Sequence, residues 1–224
     1  EIKYQWFFLY WQQRKKLPAY NPIDFLLILH RLSQVFTFTK FINLKSSKIL
    51  ILFFTLSISL DLFSQKIIVN GQESNGKLTW DDFTGKADKS TPFKAFTSFR
   101  YKTKIEGISF VGDTAIINGY EVILELDPKK SWAIKDEVSD ELLVHEQGHF
   151  NIGILCIREI MEKFKQTKFT KSNFSQLLST LFKSTTNKYS ELTLNYDKET
   201  DHSKNKVQQA KWNKFFTEEL KGTN

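Results

Sequence analysis

Short runs of alternating hydrophobic and polar residues fill the chain between residues 66 and 126, and turn residues separate them. Alternation with a period of two is typical of a β-strand that buries one face, and Asn-Gly and Gly-Asp pairs are typical of turns. The pattern predicts an antiparallel β-meander. Its predicted strands are residues 67–69, 78–80, 95–104, 108–111, 115–117 and 120–126.

The period changes to that of a helix after Pro128. Apolar residues and two histidines then recur every three or four positions, which predicts a long helix capped by Ser139 or Asp136. A second helix is predicted after Ser172 and a third over residues 205–220. The sequence thus predicts an α+β fold, a meander followed by three helices, in one domain over residues 66–224. The inward face of the first helix comprises Val138, Leu142, His145, His149, Ile152 and Cys156.

The N-terminal part of the chain has a different composition. Two lysines at positions 45 and 48 precede an unbroken apolar run over residues 49–60, and a cleavage site is predicted near Ser64. The apolar run is shorter than the roughly 20 residues of a spanning helix. We therefore predict a signal peptide over residues 45–65 and an exported protein, with an uncleaved membrane tether or a buried core helix as alternatives. Residues 1–44 are predicted to be upstream sequence that the folded domain does not need.

The formal net charge of the chain is +7, which makes nucleic acid or an anionic membrane a candidate partner. The excess belongs to the N-terminal part, because residues 1–65 hold 8 Lys and Arg against 3 Asp and Glu, whereas the rest holds 24 against 22. No nucleic-acid-binding motif is present in that remainder. We therefore predict no nucleic-acid partner, and membrane contact only through an uncleaved signal segment.

Cysteine usage restricts the metal chemistry. Cys156 is the single cysteine of the chain, so an intramolecular disulfide and a cysteine-based zinc cluster are both excluded. Its helical spacing from His149 and Ile152 predicts a small buried residue and not a reactive thiol.

Residues 145–149 form the pattern H-E-x-x-H. Positions i and i+4 of a helix project from the same face, so His145 and His149 can direct their imidazoles at one ion while Glu146 flanks that face. In this arrangement two neutral histidines bind Zn²⁺, and the carboxylate accepts a proton from the water that zinc activates and passes it to the leaving amine. The motif predicts a zinc hydrolase with Glu146 as general base.

A catalytic zinc ion takes a third protein ligand and keeps one position open. The polar run over residues 196–202, predicted as the loop between the second and third helices, offers several donors. Imidazole suits zinc well, so His202 is the favoured third ligand, and Glu199, Asp197 and Asp201 remain alternatives.

Three segments carry a family resemblance. They are residues 78–83 (LTWDDF), residues 142–150 (LLVHEQGHF) and residues 196–202 (YDKETDH), the last followed by Gln208 and Trp212. Over residues 78–212 the chain resembles bacterial exported proteins described as predicted secreted zinc-dependent proteases and catalogued as a domain of unknown function. The resemblance implies a zincin-like α+β fold and peptidase activity. The family pattern usually has glycine after the last histidine of the third segment, where this chain has Ser203.

These observations predict an exported zinc metallopeptidase that acts on a peptide or protein, with Zn²⁺ held by His145, His149 and His202. Tyr196 or Tyr189 is a candidate donor to the tetrahedral oxyanion. Two alternatives use the same ligands: a non-catalytic binding module that zinc stabilises, and a hydrolase of amide bonds outside proteins, such as cell-wall peptide crosslinks.

Overall fold

The computed structural model of the chain describes residues 63–221. The predicted upstream segment, and the predicted signal peptide as far as residue 62, lie outside the described residues. The first strand already begins at Phe63, within the stretch predicted as signal peptide. Among the described residues, every helix is too short or too polar to cross a membrane.

The strands form two sheets. Four of them lie in the order β2-β1-β5-β4, and β3 pairs with β6 in a separate two-stranded sheet. β4 and β5 are the arms of one long antiparallel hairpin that turns at Gly112 and Asp113. The six strands of the described residues are β1 (Phe63–Val69), β2 (Gln72–Glu73), β3 (Ala95–Phe96), β4 (Phe99–Val111), β5 (Thr114–Leu126) and β6 (Trp132–Ala133).

The predicted antiparallel meander is wrong at the centre of the larger sheet. β1 runs parallel to β5, with Phe63 opposite Tyr120 and Ile68 opposite Glu125. Alternation of side chains records which face of a strand is buried, but it carries no information on strand direction. The chain between β1 and β5 is long enough for the crossover that a parallel pair requires.

Further strand boundaries differ from the prediction. The predicted strand over residues 95–104 is divided between β3 and β4, and β4 continues through Gly107 to Val111. Residues 78–80 are not a strand, because Trp80–Asp82 forms a 3₁₀ turn. The Asp82 carboxylate stabilises this turn by accepting hydrogen bonds from the Thr79 backbone N at 2.7 Å and from the Thr79 hydroxyl at 3.0 Å. Asn118 and Gly119, predicted to separate two strands, lie within β5. Gly119 adopts a φ of 64°, and the pairing with β4 continues on both sides of it.

Three helices follow the strands, so the predicted α+β class and this order of elements are confirmed. They are α1 (Asp140–Gln166), α2 (Phe174–Thr200) and α3 (Lys206–Glu219). Of the two predicted caps of α1, Ser139 is the observed one, because its hydroxyl accepts the backbone N–H of Leu142 at 3.2 Å. Asp136 instead belongs to a 3₁₀ turn over Lys135–Glu137.

The core lies between α1 and the buried face of β5. Tyr120, Val122 and Leu124 of β5 are fully buried in one cluster with Phe150 and Ile160 of α1. α2 and α3 pack on the remaining sides of α1. Apolar burial of this extent is the main source of stability in a domain of this size.

Cys156 lies in that core, as its spacing predicts. It is fully buried, and burial raises the pKa of its thiol to about 12. Such a thiol is protonated at neutral pH and therefore unreactive.

Glu159 links α1 to α2. Its carboxylate accepts hydrogen bonds from the Lys188 ammonium at 2.5 Å and from the Tyr189 hydroxyl at 2.9 Å, and Lys163 pairs with it at 2.8 Å. Burial raises the pKa of Glu159, but these three partners outweigh burial and lower the pKa to about 2. Tyr189 is thus committed to Glu159, so the suggestion that it donates to an oxyanion is wrong.

Candidate metal centre

His145, Glu146 and His149 lie in the first half of α1. The two histidines are one helical turn apart, and their ring centroids are 4.8 Å apart. The side chain of His145 is 3% exposed and that of His149 is 12% exposed. The inward phase of the helix therefore places both imidazoles under the protein surface.

The third donor comes from α2. Oδ1 of Asp197 lies 3.0 Å from Nε2 of His149 and 3.2 Å from Nε2 of His145. The two Nε2 atoms are 3.3 Å apart. Among the described residues, these three side chains form a group of possible metal ligands whose donor atoms all lie within 4.8 Å of one another.

The spacing of the three donor atoms fits a small tetrahedral ion. Bonds of 2.0–2.1 Å at the tetrahedral angle would separate neighbouring ligand atoms by about 3.3–3.4 Å. The observed separations of 3.0, 3.2 and 3.3 Å are close to that value. Two imidazole nitrogens and one carboxylate oxygen are also a donor set that zinc accepts.

Gln209 of α3 sets the tautomer of His145. Its side-chain oxygen accepts a hydrogen bond from Nδ1 of His145 at 3.1 Å, so Nδ1 carries the proton and the Nε2 lone pair points toward His149 and Asp197. A lone pair that faces a carboxylate oxygen 3.2 Å away requires a shared cation, either a proton or a metal ion. The hydrogen bond from Nδ1 thus prepares Nε2 to bind a cation.

Asp197 has the charge that a metal ligand needs. Burial raises the pKa of its carboxyl group, but the contacts to His145 and His149 outweigh burial and hold the pKa well below its ordinary value. The carboxyl group is therefore ionised at neutral pH.

Tyr196 packs against His145 and holds the helix at that residue. Its ring stacks on the imidazole of His145 with centroids 4.8 Å apart, and its hydroxyl donates to the backbone oxygen of His145 at 3.0 Å. The same hydroxyl accepts a hydrogen bond from the side-chain amide of Gln209 at 2.8 Å. Because Tyr196 is fully buried and both roles of its hydroxyl are used, the suggestion that it donates to an oxyanion is wrong.

Gly148 permits this packing. A Cβ at position 148 would lie 2.5 Å from Cζ of Tyr196 and closer still to its hydroxyl oxygen. Real Cβ atoms are essentially never this close to another heavy atom, so only glycine fits here without a shift of the tyrosine.

Glu146 faces a cavity beside the three donors. The cavity has a volume of about 690 Å³ and is bordered by β3, by the beginning of α1 and by the end of α2. The Thr97 hydroxyl donates to Oε2 of Glu146 at 2.5 Å. The carboxylate is thereby held in place next to the group of ligands, with no hydrogen bond to its Oε1 from the described residues.

His202 lies at the rim of this cavity, outside the group of three. Its Nδ1 is 3.4 Å from Oδ1 of Asp197, its side chain is 43% exposed, and its ring packs against Phe93 with centroids 4.7 Å apart. Asp201, His202 and Ser203 all have positive φ, of 47°, 49° and 76°. Glycine adopts such angles most readily, and the family that the chain resembles usually has glycine at the position of Ser203.

The other predicted alternatives, Glu199 and Asp201, do not belong to the group of ligands. Glu199 accepts a hydrogen bond from the Trp212 indole N–H at 2.8 Å. Asp201 is an exposed residue at the C-terminal end of α2 and does not belong to the group of ligands. The predicted loop over residues 196–202 is helical as far as Thr200, because buried Tyr196 and Thr200 continue the inward stripe of α2.

Sequence reasoning missed two residues of the site. Thr97 precedes β4 and contacts Glu146 across 49 positions, and Gln209 contacts His145 across 64 positions. The family pattern pointed to Gln208 instead, whose backbone N–H meets the Asn205 cap of α3. No local pattern reports such distant contacts.

Comparison with protein families gives a match that covers the candidate metal centre. No curated protein and no solved structure matches the chain. Residues 124–203, which include both histidines, Glu146 and Asp197, match the model of a family described as a bacterial protein of unknown function (DUF922).

Proposed function

We propose that this chain is an exported zinc-dependent metallopeptidase with a zincin-like fold. His145, His149 and Asp197 are the proposed protein ligands of Zn²⁺, and Glu146 is the proposed general base. The observation that carries the proposal is the convergence of two Nε2 atoms and one carboxylate oxygen at tetrahedral spacing, directly beside a carboxylate that faces a cavity. Asp197 replaces His202, which the sequence favours, because its oxygen lies within 3.2 Å of both imidazoles.

In the proposed chemistry a bound zinc ion would activate water, and the side chains of the protein would hold the ion and transfer the proton. A bound zinc ion would lower the pKa of a water molecule towards about 7 and polarise the scissile carbonyl group. Thr97 holds Oε2 of Glu146, which leaves Oε1 to take the proton from the attacking water and to deliver it to the leaving amine. Gln209 keeps the Nε2 lone pair of His145 directed at the ion.

The cavity favours a catalytic role over a purely structural one. A structural zinc site is enclosed by four protein ligands, whereas three ligands beside a cavity of about 690 Å³ leave room for water and substrate. Phe93, Phe96 and Leu142 give the cavity apolar walls. Within the described residues β3 pairs with β6 on one side only, so its other edge can hydrogen-bond an extended peptide.

The proposed substrate is a peptide or protein met outside the cytoplasm. The export signal predicted over residues 45–65 supports this location, and an uncleaved signal segment would hold the enzyme at a membrane. The near balance of charge after residue 65 supports a partner other than nucleic acid. A cell-wall peptide crosslink presents the same amide bond, so it belongs in the set of substrates to test.

Zinc content and peptide cleavage test the proposal together. We expect about one zinc ion per chain in the wild type and in Glu146→Gln, but cleavage of a peptide library by the wild type alone. Equal cleavage by both proteins would contradict Glu146 as base. Zinc binding without cleavage of either library peptides or cell-wall peptides would favour a zinc-stabilised binding module.

The third ligand needs its own comparison. We expect Asp197→Asn to lose zinc and His202→Ala to retain it, because the carboxylate lies between the two imidazoles and His202 is at the rim. The reverse result would restore His202 as the third ligand and leave Asp197 as a residue that orients the histidines.

A further inference from the structure

The turn of the β4–β5 hairpin exposes apolar side chains at one end of the sheet. Ile108, Phe110, Val111 and Ile116, which we call the hairpin tip, are between 37% and 68% exposed. Residues that pair across two strands lie on the same face of the sheet. Ile108 pairs with buried Ile117 and so lies on the face that packs against the domain, whereas Ile116 pairs with exposed Ser109 and so lies on the opposite face. The hairpin tip is therefore apolar on both faces of the sheet. Clustered apolar exposure of this kind is typical of a contact surface.

Basic residues flank the hairpin tip. The segment over residues 165–171 contains Lys165, Lys168 and Lys171 and no carboxylate. It runs beside the tip, because Ala115 N donates to Phe169 O and Lys171 N donates to Asp113 O. All three lysines are exposed, and none forms an ion pair with the described residues. Asp113 is the single carboxylate within residues 108–117 and 165–171, so lysines outnumber carboxylates three to one in these two adjacent segments.

The polypeptide also enters the sheet at this end. β1 runs parallel to β5 and begins at Phe63 opposite Tyr120, so its first residue lies on the side of the sheet that leads towards the hairpin turn. Apolar exposure, lysines without an ion-pair partner among the described residues and the entry of the chain into the sheet thus coincide at this end of the domain, where the Lys171 ammonium lies 5.9 Å from the ring centroid of Phe110.

We propose that the hairpin tip inserts into the interface of an anionic phospholipid bilayer, a membrane contact additional to the one that the sequence predicts for an uncleaved signal segment. The apolar side chains enter the headgroup region, and the negative charge of the acidic headgroups attracts the three lysines. A second copy of the chain fits this surface less well, because like-charged lysines would face each other. The proposal is independent of the metal centre.

Docking in this way would keep the cavity away from the lipid. His149 and Gln166 are 17 residues apart on α1, and a rise of 1.5 Å per residue places them about 25 Å apart along the helix. The residues that border the cavity lie at the first half of α1 and the last turns of α2, whereas the hairpin contacts the segment between α1 and α2 and the first residue of α2, Phe174. The cavity would therefore stay open to solvent.

An environment-sensitive fluorophore at the tip tests the proposal in the full chain. Val111→Cys is labelled with a nitrobenzoxadiazole dye, while buried Cys156 stays unlabelled. The matched control is Lys206→Cys, an exposed site beside Glu141 at the other end of α1. With vesicles of phosphatidylcholine and phosphatidylglycerol, we expect a blue shift and loss of iodide quenching at position 111 and no change at position 206. Pure phosphatidylcholine vesicles should give a smaller effect.

The lysines are tested by titration with anionic vesicles. Lys168→Gln combined with Lys171→Gln should raise the lipid concentration at half of the shift by about 25-fold, or about fivefold for each lysine. Lys211→Gln combined with Lys214→Gln, two exposed lysines of α3, should change it less than twofold. Ile116→Cys provides a second probe position if labelling at position 111 disturbs the fold, as judged by circular dichroism.

Three results would overturn the proposal. The first is a tip probe that stays in water while the protein binds vesicles through residues before Phe63. The second is an equal shift at positions 111 and 206, which would indicate non-specific adsorption. The third is a shift at position 111 that rises with protein concentration without lipid, which would identify the tip as a contact between copies of the chain.

Discussion

Gly148→Ala tests the packing that supports the metal centre. The substitution adds a single methyl group to α1, between Glu146 and His149. Its Cβ would lie 2.5 Å from Cζ and 3.0 Å from Cε1 of Tyr196, and closer to the hydroxyl oxygen. Tyr196 is fully buried and held by two hydrogen bonds, so it cannot move aside freely.

Two opposing effects set the magnitude. Alanine is the better helix former by about 1 kcal/mol, which favours the substitution. Overpacking in a tight core costs about 1–3 kcal/mol, and displacing the hydroxyl of Tyr196 loses two hydrogen bonds worth about 1 kcal/mol each. We therefore expect the free energy of unfolding to fall by about 2–4 kcal/mol.

Urea denaturation measures this change, with Gly153→Ala as the matched control. Gly153 lies on the same helix, and its Cβ would meet two methyl groups of Leu124 at 2.9 and 3.1 Å and Cε2 of Phe99 at 3.2 Å, none of them as close as the 2.5 Å contact at Gly148. We expect that control to stay within about 1 kcal/mol of the wild type. In a Tyr196→Phe background, the cost of Gly148→Ala should fall by about 2 kcal/mol, because both hydrogen bonds of the hydroxyl are already absent. A Gly148→Ala protein as stable as the wild type would refute the reasoning.

Four further outcomes are expected. Gln209→Leu should weaken zinc affinity about 10–100-fold in a chelator competition, because the hydrogen bond that orients His145 is lost. The control Gln208→Leu should leave zinc affinity unchanged. Thr97→Val should lower kcat about tenfold with zinc content unchanged, and Thr97→Ser should restore it, since the hydroxyl holds the proposed base. Ser203→Gly should raise the unfolding free energy by about 0.5–1 kcal/mol, because φ is 76° there. Folding lowers the pKa of Glu159 to about 2, so the ionised carboxylate stabilises the folded state by about 2–3 kcal/mol at any pH above its unfolded pKa. This stabilisation should disappear as pH falls from about 5 to 2. Acid denaturation of Glu159→Gln should lack this pH dependence.

The helical half of the fold could be predicted from the sequence because its signals are local. The apolar period, the Ser139 cap and the i, i+4 spacing of His145 and His149 all operate within a few turns of one helix. The sheet was less accessible, since alternation does not distinguish the parallel pairing of β1 with β5 from an antiparallel one.

The third donor illustrates what the sequence could not decide. His202 and Asp197 both lie in a polar run, and the chemistry of zinc favours imidazole. Their positions depend on how far α2 continues, which is decided by the burial of Tyr196 and Thr200 against other helices. Long-range packing therefore brings Asp197 to the histidines and leaves His202 at the rim.

Anomalous X-ray diffraction at the zinc edge, from crystals grown with zinc, tests the central claim most directly. The account predicts a single strong peak within about 2.0–2.2 Å of Nε2 of His145, Nε2 of His149 and Oδ1 of Asp197, with a water molecule in the fourth position facing the cavity. A map without a peak among these three residues, or a peak bound to His202 with Asp197 turned away, would contradict it.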